Sequence, residues 1–332
     1  SKTLEEIKFA GLDIERGLNI EWEKGVEVID IDTDKQYITL DNHETIQYDQ
    51  LLIASGANTN IIPIPGLKEA TNVIGFRHLK DVVSLKKRLP YIHNIFIMGA
   101  GLVGIDVIAG LLKYNKNISL CDMGKHMLPL QLDEYSANTY QKLFSKHNVK
   151  QYYQTSVKEL ILDESGHCYR VILSDGTEIE TDYIVNCAGI RANISFLKNT
   201  LLQCDRFGLI VDETGKTNIS NIYGAGDVTG RKTVWANAVN QGIVAAYSMS
   251  GKKRDSKDYL SHRTSMHFFD IPTISLGQVS GYDDTYQEEM TVSENSYRKI
   301  ILKDNKIVGA ILQGDLSQSG MLSKMILSRK RK

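Results

Sequence analysis

The chain has 332 residues, 42% of them hydrophobic and 24% charged, which is the balance of an ordinary soluble globular protein of two to three domains. Its formal net charge of −1 gives no electrostatic reason to expect nucleic acid or an anionic membrane surface as a partner. No apolar run is long enough to span a bilayer, so we expect no membrane association. The few, scattered cysteines lead us to expect a cytoplasmic protein.

The first predicted elements lie in residues 25–54. Alternating polar and apolar residues in VEVIDID and QYITLDN predict a three-stranded antiparallel meander, and the apolar run LLIA predicts a buried strand. Residues 57–79 are expected to form an extended linker, because Pro63 and Pro65 exclude a helix at that point.

Residues 91–189 predict a complete βαβ-type domain. A meander at 157–180 and the apolar strand YIVNC close it. The other predicted elements are strands at Asn94–Met98 and Ile118–Asp122 and helices at Gly101–Tyr114 and Asp133–His147, with Asp133 as an N-cap.

The last third of the chain starts with an extended pattern over 208–228. A predicted helix from Trp235 to Ser250 ends at Gly251, which is a common C-terminal signal. Residues 259–332 predict a small α+β unit with strands TISLG, YRKIILK and KIVGAILQ and a final helix near Gly320–Leu327.

Two segments that lie 133 positions apart match without a gap. Residues 40–56 are LDNHETIQYDQLLIASG and residues 173–189 are LSDGTEIETDYIVNCAG. Each is a turn, a polar strand and an apolar strand that ends in glycine, at Gly56 and Gly189. The second copy follows a complete glycine-rich loop, whereas the same spacing puts the first copy's loop before residue 1. The repeat predicts two nucleotide-binding domains, of which the first lacks its front.

The glycine-rich loop is Gly99-x-Gly101-x-x-Gly104, and it lies between a predicted strand and a predicted helix. In such loops the first glycine permits the turn, the second lets the backbone approach a pyrophosphate, and the third lets helix and strand pack closely. Asp122 ends the next strand, 18 residues after Gly104, where a carboxylate accepts ribose hydroxyls and repels a 2′-phosphate. The pattern predicts dinucleotide binding and favours NADH over NADPH, although the nearby Lys125 weakens that repulsion.

Two further carboxylates have open interpretations. Asp106 either complements the dipole of its helix or hydrogen-bonds the nicotinamide ribose or amide. Asp227 is the last residue but one of the segment TNISNIYGAGDV, where small residues allow a sugar or ribityl chain to approach and Asp227 can accept its hydroxyl protons, or else it simply caps a turn. The amides at the start of the helix from Trp235 suit an electron-poor flavin pyrimidine.

The cysteines and histidines do not indicate a further centre. The four cysteines are too few and too scattered for a disulfide framework, and no CxxC pair occurs. Cys121 and Cys187 lie in apolar strands, where a small buried side chain suffices. The eight histidines show no metal-ligand spacing. We therefore expect no dithiol centre and no metal site.

Together these motifs resemble the pyridine nucleotide–disulfide oxidoreductase superfamily. The matching stretches are YDQLLIASG, in which Ser55 replaces the family's usual threonine, GAGLVG with Asp106, IVNCAG, TNISNIYGAGDV and WANAVNQGIVAAYSMSG. They cover residues 25 to 251. The last part of the chain resembles the short C-terminal domain of NADH:rubredoxin reductases and of the flavin module of nitrite reductases.

The resemblance implies an α/β fold with two nested Rossmann-like dinucleotide-binding domains, each three-layered with a β-meander, and a small α+β C-terminal domain. It implies the boundaries 1–85 and 202–252 for an N-terminally truncated FAD-binding domain, 86–201 for an NAD-binding domain and 253–332 for an interface domain. The implied FAD contacts are Ala54, Ser55, Gly56, Gly226, Asp227 and Ala236. The implied NAD contacts are Gly99, Gly101, Leu102, Gly104, Asp106, Asp122 and Gly189.

The function implied by this resemblance is an FAD-dependent NADH oxidoreductase that passes electrons to a small, rubredoxin-like redox protein. No side-chain acid, base or nucleophile is required, because the cofactors carry the chemistry. The resemblance also allows a homodimer, and the C-terminal unit is expected to lie near the flavin edge through His267–Ile271 or at a subunit interface. One alternative is a coenzyme A disulfide reductase or NADH oxidase with an upstream redox cysteine. Another is a flavin-free NAD-binding remnant that acts as an assembly or regulatory subunit.

Overall fold

The structure is a computed structural model that describes residues 20–230, 233–254 and 263–328. The strands are β1 (Val28–Asp32), β2 (Tyr37–Leu40), β3 (Thr45–Gln47), β4 (Leu51–Ile53), β5 (Ala57–Thr59), β6 (Val73–Gly75), β7 (Asn94–Met98), β8 (Asn117–Asp122), β9 (Val149–Tyr153), β10 (Val157–Leu162), β11 (Cys168–Leu173), β12 (Glu178–Glu180), β13 (Tyr183–Asn186), β14 (Ile190–Ala192), β15 (Ile222–Gly224), β16 (Arg263–Phe268), β17 (Ile271–Gly277), β18 (Tyr286–Val292), β19 (Tyr297–Lys303) and β20 (Lys306–Gln313). The α-helices are α1 (Leu79–Arg88), α2 (Leu102–Leu111), α3 (Glu134–Lys146), α4 (Trp235–Met249) and α5 (Ser319–Ser328). Short 3₁₀ turns occupy Leu89–Tyr91, Leu112–Tyr114, Ser195–Leu197 and Gly226–Thr229. None of these helices is long and apolar enough to cross a membrane.

A five-stranded parallel sheet forms the core of what we term the central domain. Its strand order is β6-β13-β7-β8-β9, and every neighbouring pair is parallel. Helices and the β10–β12 meander cover the two faces of this parallel sheet. A strand that is buried on both faces is expected to be apolar throughout, as the sequence NIFIM of β7 is. From β7 the chain runs through α2 to β8, which pairs with one edge of β7, whereas β13 pairs with its other edge. A crevice is expected outside the carboxyl ends of the strands where the strand order reverses in this way.

A second, smaller pair of parallel strands belongs to the first domain. Strands β4 and β15 are paired from Leu51 with Ile222 to Ile53 with Gly224, although they lie far apart in the chain. Their common direction brings the residues that follow Ile53 and Gly224 to the same edge. The antiparallel meander predicted for residues 25–54 is present, but its third strand is the polar β3, while the apolar strand β4 lies in this separate sheet.

The segments that directly follow the two copies of the sequence repeat pair in a short antiparallel sheet formed by β5 and β14. The N–H of Asn193 donates to the carbonyl oxygen of Gly56 at 3.0 Å, and the N–H of Asn60 donates to that of Gly189 at 3.0 Å. These two hydrogen bonds are related by the same 133-residue offset as the sequence repeat. The repeat therefore produces a local two-fold arrangement at the junction of the two domains.

Residues 57–79 were expected to be a linker, and the structure corrects this. They contain β5 and also β6, which adds an edge strand to the central sheet by pairing with β13. The prolines of IIPIP exclude helix only locally, so they carry no information about the apolar VIG sequence that forms β6. Helix α1 follows, and its carboxylate Asp81 accepts the N–H groups of Arg77 and His78 at 2.9 and 2.7 Å. This cap starts a helix that buries Leu85 against the central domain.

Residues 263–328 form the C-terminal domain, an antiparallel sheet of order β16-β17-β20-β19-β18 with α5 packed on it. The segment 267–271 was expected near a flavin edge or at a subunit interface. The segment lies against α3 of the central domain, where Phe268 meets Tyr140 edge-on at 5.4 Å and Phe269 meets Phe144 at 4.8 Å. Its contact with a flavin or with a second subunit stays a prediction. The C-terminal domain thus shares a hydrophobic core with the central domain.

Candidate functional site

The glycine-rich loop follows β7 at the carboxyl edge of the central sheet. Gly99 has φ +102°, and a Cβ there would lie 2.6 Å from the carbonyl oxygen of Cys187. A Cβ at Gly104 would lie 1.9 Å from the carbonyl oxygen of Gly99, so α2 can pack against the loop only without a side chain at this position. A Cβ at Gly101 would meet nothing within 4 Å. The protein itself therefore requires the first and third glycines, whereas the second borders open space that phosphates can enter.

Helix α2 begins at Leu102, with Gly101 as its N-cap. The first N–H groups of a helix have no intrahelical partners and, with the helix dipole, favour an anion at this end. The dipole interpretation of Asp106 requires a position in the first turn of this helix, but Asp106 is the fifth helical residue and lies in the second turn. The dipole effect has faded there, so the dipole explanation of Asp106 is weakened. Desolvation by the surrounding protein raises the pKa of the Asp106 carboxyl group, which remains accessible to solvent. The contact of Asp106 with nicotinamide stays a prediction.

Asp122 ties the glycine-rich loop to the loop that follows β8. One carboxylate oxygen accepts the N–H of Ala100 at 2.7 Å, and the other accepts the N–H of Gly124 at 2.6 Å. A carboxylate offers about four lone-pair positions, so two remain for ribose hydroxyls. The charge of Asp122 also reaches Tyr153 on β9, since burial and then this charge raise the pKa of the Tyr153 phenol. Sequence reasoning foresaw Asp122 as a ribose ligand but not as an anchor of the loop.

Gly189 follows β13 and lies beside the same loop. Gly189 and its repeat partner Gly56 both have positive φ, +91° and +69°, and at both positions a Cβ would meet nothing within 4 Å. Both glycines end an apolar strand in a left-handed turn that favours glycine. The two glycines, which match in the sequence repeat, therefore also share a left-handed backbone conformation.

The second group of predicted site residues gathers at the carboxyl ends of β4 and β15. Ala54 and Ser55 are exposed there. The hydroxyl of Ser55 donates to the carbonyl oxygen of Asn193 at 2.8 Å, and the side-chain amide of Asn193 donates to the carbonyl oxygen of Ser55 at 2.9 Å. Ser55 thus links the two copies of the repeat. Its contact with a flavin stays a prediction.

Gly226 and Ala236 approach this edge from the other side. The N–H of Gly226 donates to the side-chain oxygen of Gln241 at 2.7 Å. Gln241 lies in α4, whose second residue is the half-buried Ala236. The bond ties the second turn of α4 to the turn that follows β15, and the first turn of α4 is also close, since a Cβ at Gly226 would lie 3.5 Å from the Cβ of Ala238. The pairing of β4 with β15 thus brings Ala54 and Gly226 to the same edge, and the FAD contacts implied for Ala54, Gly56, Gly226 and Ala236 stay a prediction.

Arg77 contacts a predicted site residue, and sequence reasoning missed it. Its guanidinium group pairs with the carboxylate of Asp227 and also donates to the carbonyl oxygen of Ala57 at 3.3 Å. The side chain of Asp227 is only 13% exposed, and a charge so removed from water needs a partner. The two residues lie 150 positions apart, so no local pattern could have connected them.

The thiols are poor nucleophiles in this structure. Burial raises the pKa of Cys121 and of Cys187 to about 12, and the charges of Asp122 and Asp175 add to the effect at Cys121. Burial also raises the pKa of Cys168 and of Cys204. All four are free thiols. Because the thiolate is the reactive form, raised pKa values favour the structural interpretation of these residues.

Curated relatives cover most of this chain. The assimilatory nitrate reductase electron transfer subunit of Bacillus subtilis is 26% identical over 315 residues, which are 92% of this chain and 40% of the relative. The NADH-rubredoxin oxidoreductase of Clostridium acetobutylicum is 26% identical over 304 residues, which are 90% of this chain and 75% of the relative. The chain thus spans about two fifths of the nitrate reductase subunit and of the nitrite reductase of B. subtilis.

Solved structures show the same fold. A ferredoxin reductase from Rhodopseudomonas palustris has a TM-score of 0.81 at 19% identity, covering 92% of this chain and 76% of its own. The water-forming NADH oxidase of Lactobacillus brevis, bound to NADH, has a TM-score of 0.82 at 20% identity, covering 91% and 74%. The predicted α/β fold with Rossmann-like parallel sheets and a C-terminal antiparallel sheet is confirmed.

Two family profiles match the chain in the same order as its domains. Residues 263–330 match the rubredoxin NAD+ reductase C-terminal domain. Residues 2–242 match the pyridine nucleotide-disulphide oxidoreductase profile, so the chain belongs to that family.

Proposed function

We propose that this chain is an FAD-dependent NADH oxidoreductase that delivers electrons to a small redox protein. The observation that carries the proposal is the junction between the two candidate sites. The hydrogen bonds of Asn193 with Gly56 and of Asn60 with Gly189 tie the end of the β4 strand to the end of the β13 strand. Two sites so joined suit a reaction in which two cofactors must meet.

The residues at the β4 and β15 edge fit a flavin. Ala54 is exposed and Gly56 borders open space at the strand end, and the first turn of α4, which lies close to Gly226, would offer N–H groups to a flavin. Asp227 would accept hydroxyl groups of the ribityl chain and share its charge with Arg77. When bound, FAD supplies the two-electron acceptor that the family uses together with NAD(H).

The residues at the central-sheet edge fit NADH. Gly101 borders open space, the start of α2 favours a pyrophosphate, and Asp122 has lone pairs left for the ribose. The protein's part in the reaction is to hold the two cofactors in position. The thiols with raised pKa values do not provide a relay, which favours this function over a disulfide reductase that uses the cysteines of this chain.

The acceptor class is inferred from two similarities. The C-terminal domain matches the rubredoxin NAD+ reductase profile, and one curated relative is an NADH-rubredoxin oxidoreductase. Another relative is the reductase subunit of a benzene dioxygenase system and acts between ferredoxin and NAD+, with 27% identity over 244 residues. These similarities support a small iron–sulfur or iron–thiolate protein as the acceptor.

The deciding experiment is an anaerobic titration of the purified, FAD-loaded protein with NADH. We expect one equivalent of NADH to bleach the visible flavin absorbance by two-electron reduction, and two equivalents of oxidised rubredoxin, each accepting one electron, to restore it. Asp227→Ala should release FAD more readily, whereas Asp284→Asn, an exposed carboxylate in the C-terminal domain, should not. A protein that takes up no FAD, or whose flavin NADH leaves oxidised, contradicts the proposed function.

A further inference from the structure

We propose that the exposed face of α1 is the docking surface for an acidic redox protein, the electron acceptor of the proposed function, on which this inference therefore rests. We call this surface the Val83 patch. It consists of Leu79, Lys80, Val83, Lys86 and Lys87.

The patch has an apolar centre and a basic rim. Val83 is 43% exposed and Leu79, one turn earlier, is 49% exposed. Lys80, Lys86 and Lys87 lie three or four positions from Val83, which are the neighbouring positions on a helix surface. The opposite side of the helix is buried through Leu85. Protein–protein contacts commonly have an apolar centre and a polar rim of this kind.

The positive charge of the patch is not compensated. Asp81 is the only acidic residue of α1, and it is turned back to accept the N–H groups of Arg77 and His78. Within residues 20–230, 233–254 and 263–328, neither Lys80 nor the three basic residues of the last turn forms an ion pair. Four free cations on one short helix attract an acidic partner.

Helix stability does not explain all of these charges. Cations in the last turn complement the helix dipole, which accounts for Lys86, Lys87 and Arg88. Lys80 is the second residue of α1, where a positive charge opposes the dipole. Its position, together with the exposure of Leu79 beside it, is better explained by contact with a partner.

The patch starts at the flavin site. Arg77, two residues before α1, contacts both Asp227 and the carbonyl oxygen of Ala57. Val83 lies four residues beyond Leu79, about 6 Å along the helix axis. A protein seated on the patch would therefore lie beside the residues that are proposed to hold the flavin.

An acidic protein fits this surface better than a nucleic acid does. Nucleic-acid sites are wide basic stripes on domains that carry a large positive charge. Here the whole chain has a net charge of −1, and the cations surround two exposed aliphatic side chains. Rim charges of this kind chiefly raise the association rate and make binding depend on salt.

The test measures binding of a strongly acidic rubredoxin to the wild-type protein and to two variants by biolayer interferometry. Lys80→Glu/Lys87→Glu reverses two charges of the patch. Lys142→Glu/Lys146→Glu makes the same change on α3, where both lysines are exposed and one lies in the last turn, as Lys87 does in α1. Circular dichroism checks that all three proteins are folded. The rate of menadione reduction by NADH reports on the flavin site separately.

We expect the patch variant to raise the Kd for rubredoxin about ten-fold and to lose most of its salt dependence, with the α3 variant close to wild type. Menadione reduction should stay unchanged in both. Absence of rubredoxin binding to the wild-type protein, or equal weakening in both variants, overturns the docking surface. Failure of NADH to reduce any acceptor overturns the proposed function and the partner's role as electron acceptor, whereas rubredoxin binding that is weakened only in the patch variant still supports the Val83 patch as a docking surface.

Discussion

Tyr297 donates a 2.5 Å hydrogen bond to Asp133. The same carboxylate therefore caps α3 of the central domain and accepts a hydrogen bond from β19 of the C-terminal domain. The buried ammonium group of Lys299 lies 3.4 Å from the same carboxylate and 3.0 Å from that of Glu288. The sequence predicted Asp133 as the N-cap, and the bond from Ser136 N–H at 3.0 Å confirms it. The contacts with Tyr297 and Lys299 make this cap an interdomain joint.

The free energy of unfolding should decrease at acidic pH, because the contacts of Asp133 depend on its negative charge. Burial raises the pKa of Asp133, but hydrogen bonds from Ser136 and Tyr297 and the charge of Lys299 outweigh it, so the pKa is lowered overall. A carboxyl group with a lowered folded-state pKa stabilises the fold above its unfolded pKa of about 3.9 and loses that contribution as the pH falls through the folded-state value. Urea unfolding should therefore show Asp133→Asn to be about 1–3 kcal/mol less stable than wild type at pH 7, with a smaller difference at pH 3.

The control for this prediction is Asp284→Asn, since Asp284 is exposed in the C-terminal domain. Its stability should follow the wild-type protein at every pH. A constant difference between Asp133→Asn and wild type from pH 7 to pH 3 would contradict the role given to the ionised carboxylate.

The cysteines should be dispensable for electron transfer within this chain. Their pKa values are raised, which leaves little thiolate near neutral pH. A variant with Cys204 and Cys168 changed to serine and with Cys121 and Cys187 changed to alanine should keep NADH binding and reduction of a dye acceptor. Loss of turnover from one single substitution, in a protein that remains folded, would show that this thiol takes part in the reaction.

The sequence predicted the central domain well because its signals are local. Apolar strands, the glycine loop and the Asp133 cap each lie within a few neighbouring residues, and the strands at Asn94–Met98 and around Ile118–Asp122 were found at or within one residue of their bounds. The helix predicted over Gly101–Tyr114 continues after Leu111 as a 3₁₀ turn.

Contacts between distant segments could not be predicted in the same way. Arg77 meets Asp227 only because β4 pairs with β15 and α1 begins beside them. Helix α1 was missed because its cap is His78 with Asp81, whereas the usual N-cap residues are Ser, Thr, Asn and Asp. The docking of Phe268 on α3 depends on an aromatic cluster that no periodic pattern reveals.

Alanine substitutions of the loop glycines should separate effects on stability from effects on NADH binding. Gly104→Ala puts a Cβ 1.9 Å from a backbone carbonyl oxygen, and forced overpacking of this kind costs about 1–3 kcal/mol or more. Gly101 has φ −74°, which alanine adopts freely, and its Cβ would point into open space. Thermal unfolding should thus show a lower Tm for Gly104→Ala and a nearly unchanged Tm for Gly101→Ala. In a fluorescence titration Gly101→Ala should nonetheless bind NADH more weakly, and full affinity in this variant would remove Gly101 from the phosphate site.

Asp122 should select NADH over NADPH, and two variants can distinguish this role from its role in anchoring the loop. Asp122→Ala removes both backbone hydrogen bonds and the ribose contact. The loss of a charge-assisted hydrogen bond costs about 1.5–3 kcal/mol, or roughly ten- to hundred-fold in affinity for NADH. Asp122→Asn keeps one acceptor oxygen for Ala100 or Gly124 but removes the negative charge. We expect both variants to shift the NADH-to-NADPH affinity ratio towards NADPH, with Asp122→Asn retaining more of the wild-type Tm. An unchanged ratio in both variants would show that Asp122 organises the loop without contacting the ribose.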